Sequence, residues 1–186
     1  DNINNIGLSY NNINDSISAI ECSKEFTRPS VVIVKHANPC GAAIANNALN
    51  ALKKSIECDP KSAFGGIVSV NTHVNENFVT KFLLFFFEIL IAPSFSKKAL
   101  ALLKNKKKLI VLKSKFLINI NKEYKSIPGG YLEQEKDKVP ITKNNLKKVT
   151  SRKVSKKIIR DMIFALSVCK HVKSNAIVLA NNEQVL

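Results

Sequence analysis

Arginine is scarce in this chain: Arg28, Arg152 and Arg160 are the only ones, and lysine carries the rest of a formal net charge of +15. Such a surplus suggests a polyanionic partner through counterion release. Base and phosphate recognition favours the planar arginine fork, however. Asn, Ile and Lys are abundant together, as expected of an A/T-rich coding sequence, so we expect no nucleic-acid partner. The four cysteines, Cys22, Cys40, Cys58 and Cys169, include no C-x-x-C pair, which argues against a zinc cage or a redox motif and for a reduced, cytoplasmic protein. The longest apolar run, Phe82 to Ala92, contains Glu88 and is too short to span a bilayer, so no membrane partner is expected. Methionine occurs once, at Met162, and the chain begins at Asp1; we read both ends as cuts in a longer polypeptide. A hydrophobic fraction of 45% and a charged fraction of 23% are those of a globular protein with one sizeable core.

Periodicity gives alternating helix and strand signals. Asn14 or Asp15 can cap a helix running to about Phe26, broken by Arg28-Pro29-Ser30. Val31 to Val34 reads as a buried parallel strand, followed by a turn at Asn38-Pro39-Cys40-Gly41 and a helix from Ala42 to about Cys58. "GGIVSVN" is the next strand, and a helix from about Asn75 leads into Glu88 to Ala92. "SKKALALLKNKKK" is helical before the strand Leu109 to Leu112. Tyr124 to Asp137, with Pro128-Gly129-Gly130, reads as a turn and extended segment. Thr142 to Lys157 is a lysine-rich connection, after which a helix from about Ser155 to Lys173 leads to a strand at Ala176 to Ala180. The order predicts an α/β layered fold with a mostly parallel sheet.

Ligands in open α/β sheets gather beyond the carboxyl ends of strands, and Lys35 and His36 stand at such an end. His36 could act as a general base and Lys35 as a cation for developing negative charge. A zinc deaminase needs H-x-E with P-C-x-x-C; here Asn38 and Ala43 stand where the glutamate and second cysteine belong, which excludes it. In "DPKSAFGGIVSVN", Gly65 and Gly66 allow close backbone approach and Phe64 could stack on a heterocycle or fill the core. Asn11, Asn12 and Asn14 could bind a polar ligand or cap a helix. Lys173, Ser174 and Asn175 precede a strand, where the amide could hold a carboxamide or close a turn. His73 and His171 have no partner at readable spacing.

Taken in order, "LSYNNINDS", "VKHANPCGAA", "DPKSAFGGIVSVN", "EILIAPSFS", "GGYLEQEKD" and "VKSNAIV" resemble the bifunctional purine-biosynthesis family that joins AICAR transformylase to IMP cyclohydrolase, in the first half of its transformylase region. The resemblance implies a cytidine-deaminase-like fold without zinc, with residues 1–141 as a first subdomain and 142–186 as a linker and the start of an incomplete second one. It implies formyl transfer from 10-formyltetrahydrofolate, as cosubstrate, to the 5-amino group of AICAR, with His36 as proton acceptor and Lys35 as transition-state stabiliser. Asn12, Gly65, Glu88 and Asn175 are then expected to contact AICAR, with Phe64 lining the site. The family is homodimeric. The cyclohydrolase domain and much of the phosphate and folate site lie outside this sequence, so the chain alone is expected to be inactive.

Overall fold

A computed structural model describes residues 1–116 and 121–186. Helix α1 (Tyr10–Lys24) starts upstream of the expected cap. Ser9 accepts the Asn12 N–H, while Asn12 Oδ1 accepts the Ser9 N–H at 3.1 Å. This capping box uses asparagine in the place usually held by Glu or Gln, which disguises it in the sequence. Strand β1 (Ser30–Lys35) is followed directly by β2 (Asn38–Ile44). The two pair antiparallel, with Lys35 opposite Asn38 and an irregularity after Ile33 that takes up the residue around Pro39.

This corrects two expectations. Asn38 to Gly41 is strand rather than turn, because a bulge accommodates a proline that regular pairing would exclude. The helix expected from Ala42 begins at Ala48 instead, as α2 (Ala48–Cys58), with Asn47 as its cap. Pro60–Ala63 forms a single helical turn, α3, before β3 (Ile67–Val70). Helix α4 (Glu76–Phe82) ends well short of β4 (Ile89–Ala92), so the phenylalanine run straddles a helix end and a loop. Helix α5 (Lys97–Lys104) and β5 (Ile110–Lys113) follow as expected. A separate hairpin, β6 (Lys122–Ile127) and β7 (Gly130–Glu135), occupies the Pro128-Gly129-Gly130 region. After the lysine-rich connection comes α6 (Lys156–Cys169). The strand expected at Ala176 to Ala180 is only β8 (Ala180–Asn181), paired with β9 (Gln184–Val185).

Among the described residues the main sheet has seven strands in the order β5-β4-β3-β1-β2-β9-β8. Strands β3, β4 and β5 are parallel neighbours, and all other pairings are antiparallel. Five of the seven, β5, β4, β3, β2 and β8, nevertheless point the same way, making this a mixed sheet that is mostly parallel by direction. Strand β1 itself runs against both neighbours. It reads as a parallel strand because helices cover both its faces, so its apolar run is continuous rather than alternating.

Side chains alternate across the sheet. Val31, Ile33, Val68, Val70 and Leu90 pack with Leu52 and Ile56 of α2, Phe78 and Phe82 of α4, and Leu103 of α5. Val32, Val34, Ile67, Ile89 and Ile91 pack on the opposite side with Ala19 and Cys22 of α1 and Phe164 and Val168 of α6. Each of the larger side chains contributes about 1.5–3 kcal/mol by leaving water. The central strand is thereby fixed, and with it the position of the turn at its end.

Candidate functional site

The β1–β2 connection is the two-residue loop His36-Ala37, with φ of 55° and 57°. Two successive positive φ values match the twist of an antiparallel hairpin, but Asn-Gly or Asp-Gly is the usual sequence. A non-glycine residue in this region costs on the order of 1–3 kcal/mol. The surrounding structure opposes that cost from two sides. From α1, Asp15 Oδ2 accepts the His36 N–H at 3.1 Å and Oδ1 accepts the Ala37 N–H at 2.8 Å. From the segment after α6, Lys173 donates its Nζ to the His36 carbonyl at 3.1 Å and its backbone N–H to Asn38 Oδ1 at 3.2 Å.

Lys35, half-buried at the end of β1, donates its ammonium to the Phe64 carbonyl at 2.8 Å. Phe64 follows α3 and leads into Gly65, whose φ is +72°. The Gly65 N–H donates to the Phe86 carbonyl at 2.9 Å, and the Glu88 N–H donates to the Gly66 carbonyl at 3.1 Å. The loop before β3 is therefore laced to the loop before β4. Phe64 is 63% exposed, and its ring lies 5.0 Å, centroid to centroid, from Phe86. It is thus a surface ring available for stacking, not a core residue. Asn12, in the first turn of α1, donates its side-chain amide to Glu88 Oε2 at 3.3 Å.

These contacts join Asn12, Lys35, Phe64, Gly65 and Glu88 in one continuous patch at the end of β1 and the entries to β3 and β4. His36 adjoins it as an exposed residue of the strained turn. Asn175 is exposed and lies two residues beyond Lys173, which grips that turn. Sequence reasoning missed Asp15 as a partner of this turn, taking it only as a helix cap. Its spacing of three from Asn12 puts both on one face of α1, but nothing in the sequence says that the face meets a hairpin.

Burial pushes the Cys40 thiol up to about 11, offset in part by a backbone hydrogen bond. It therefore remains protonated near neutrality and supplies no nucleophilic thiolate. Among the described residues no group of three or more His, Cys, Asp or Glu side chains is arranged to hold a metal ion. A 540 Å³ cavity lined in part by Phe82, Phe85, Phe86, Phe87 and Lys106 to Lys108 reaches the patch through Phe86, whose ring packs on Phe64. A more polar cavity of 440 Å³ includes Asn14 and Lys173. No helix among the described residues is long and apolar enough to cross a membrane.

A family model described as the AICARFT/IMPCHase bienzyme matches residues 2–186. The chain belongs to this family. The bifunctional purine biosynthesis protein PurH of a Thermoanaerobacter species is 48% identical over 175 residues, covering 94% of this chain and 34% of that protein. PurH of Caldicellulosiruptor bescii is 50% identical over 181 residues, covering 96% of this chain and 35% of the relative. The chain thus spans about a third of the length of the curated AICARFT/IMPCHase relatives it matches. A solved structure of Acinetobacter baumannii RibD aligns with 56% of this chain and 35% of its own at 16% identity, with a TM-score of 0.43, too slight a likeness to carry an argument.

Proposed function

We propose that this chain forms the AICAR-binding first part of a transformylase that moves a formyl group from 10-formyltetrahydrofolate to the 5-amino group of AICAR, giving FAICAR in IMP biosynthesis. The observation that carries the reading is the fixed turn presenting Lys35 and His36 beside the Asn12–Glu88–Gly65 patch. Family membership supports it.

The amine of AICAR is a weak nucleophile, its lone pair being delocalised into the imidazole and the carboxamide. His36 takes a proton from that nitrogen as it bonds to the formyl carbon. Lys35 stabilises the negative charge gathering on the formyl oxygen. The bond from the formyl carbon to N10 of the folate then breaks, its electron pair staying on N10, which leaves with the proton that His36 took from the amine. Asn12, Glu88 and the Gly65 backbone are assigned to AICAR, Phe64 to the wall of its site, and Asn175 to the carboxamide.

In this reading the layers correspond to a zinc-free cytidine-deaminase-like subdomain over residues 1–141. Residues 142–186 link to a second subdomain while lending α6 and the strands β8 and β9 to the first. The complete gene product is a cytoplasmic homodimer that also carries IMP cyclohydrolase activity, whereas this chain alone lacks turnover. Formylation of AICAR by the complete gene product tests the proposal. Lys35→Met and His36→Ala should each lower kcat by about 10²-fold or more. Rates near wild type in either variant would refute it, as would salt-sensitive RNA binding without formylation.

A further inference from the structure

The strained loop at the end of β1 has its backbone amides satisfied from another element. A two-residue hairpin turn leaves its central N–H groups outside the strand ladder, where water ordinarily serves them. Here one carboxylate takes both: Asp15 Oδ2 at 3.1 Å from the His36 N–H, and Oδ1 at 2.8 Å from the Ala37 N–H. Those are the two residues with φ of 55° and 57°. A carboxylate spanning two consecutive amides specifies an orientation as well as a distance, because both oxygens must be met at once.

The carboxylate is itself well anchored. Asp15 lies on α1 three residues after Asn12, whose amide meets Glu88. It is flanked by Ser16 and Ala19, which are buried against the sheet. A shift of α1 would therefore move Asn12 and the His36-Ala37 turn together. On the other side, Lys173 Nζ donates to the His36 carbonyl at 3.1 Å. The peptide groups around His36 are thus gripped by an anion at the N–H groups and a cation at the C=O.

We infer that Asp15 is a positioning residue for the reaction: it holds the His36-Ala37 turn in the one backbone conformation that sets the imidazole against the nucleophilic nitrogen, and registers that turn with Asn12. The inference rests on the formyl-transfer reading above. Asp15 exchanges no proton with substrate in this role; it acts through the turn.

The test uses Asp15→Asn and Asp15→Ala in the complete gene product, beside Lys35→Met and His36→Ala. A displacement of a catalytic group by about 1 Å costs on the order of 10²-fold. Asp15→Ala should therefore lower kcat about 10²-fold while KM for AICAR changes less than about threefold. Asp15→Asn keeps one acceptor oxygen and should recover part of the loss. Hydrogen exchange supplies the second readout: in Asp15→Asn the His36 and Ala37 amides should lose protection while the amides of β1 and β3 keep theirs.

Wild-type kcat in Asp15→Ala, with Lys35→Met and His36→Ala inactive, would overturn the positioning role and leave the formyl-transfer reading standing. Activity retained by Lys35→Met and His36→Ala would instead remove that reading. Loss of protection across the whole sheet in Asp15→Asn, with kcat and KM changing together, would show a role in stability alone and also overturn the inference. If Asp15→Ala does not fold, the Asp15→Asn measurements decide.

Discussion

At the scale of single residues, two glycines show how differently the same side chain can be excluded. At Gly65 a Cβ would lie 3.6 Å from Phe86 and 3.9 Å from Glu88, which is ordinary contact, but φ is +72°. Gly65→Ala should therefore cost about 1–2 kcal/mol through backbone conformation alone, measured as a lower urea midpoint with an unchanged m-value. The paired glycines made this position legible in the sequence as a close backbone approach before a strand. Phe64 was legible only as a choice, since stacking platform and core residue look alike until exposure is known. The Asp15 contact was not legible at all, because it joins residues 21 and 22 positions apart through a helix face whose neighbour only the fold selects. The Lys173 grip on His36, at a separation of 137 residues, was equally hidden.

At the scale of elements, the β2–α2 layer is where sequence reasoning failed most. Gly41, Ala42 and Ala43 resemble the small-residue start of a helix, yet they form a strand lying directly under α2. The reason is spatial. A Cβ on Gly41 would lie 2.2 Å from the Ser55 carbonyl oxygen, so strand and helix approach at backbone distance. The Ser55 hydroxyl also donates to the Val31 carbonyl at 2.8 Å, tying the helix to β1. Gly41→Ala must push α2 off the sheet, and should destabilise by about 1–3 kcal/mol or more. Chemical denaturation should show it as the costlier of the two glycine substitutions. Strands β3 and β5, by contrast, were legible because each is a short apolar run bounded by turn residues, whereas β4 was reached only as the continuation of a helix from Asn75. The hairpin β6–β7 was legible from Pro128-Gly129-Gly130, although its two-stranded pairing was not.

At the scale of the molecule, α1 and α6 are joined where both helices end. Glu25 Oε1 lies 3.0 Å from both Lys170 Nζ and His171 Nε2, all largely buried. Burial raises the Glu25 pKa, but hydrogen bonds from His171 and Lys170 outweigh it and hold the carboxyl below its ordinary range. A carboxyl lowered on folding contributes stability that is full above its unfolded value of about 4.3 and is lost as pH falls through the folded value. The gap in melting temperature between wild type and Glu25→Gln should thus be widest near neutrality and narrow as pH falls below about 4.3 and through the folded value. A gap independent of pH would show that the carboxylate's charge contributes nothing. The order of strands also has a bearing on synthesis. Five neighbouring strands come from residues 30–113, but among the described residues the outer side of β2 is paired only with β9, which β8 backs in turn, both from residues 180–185. A nascent chain emerging from the ribosome therefore carries a nearly finished sheet with one raw edge, an open template for strand addition by other chains. That edge stays uncovered while some seventy further residues are translated, which makes this interval the step at which a chaperone would do the most good.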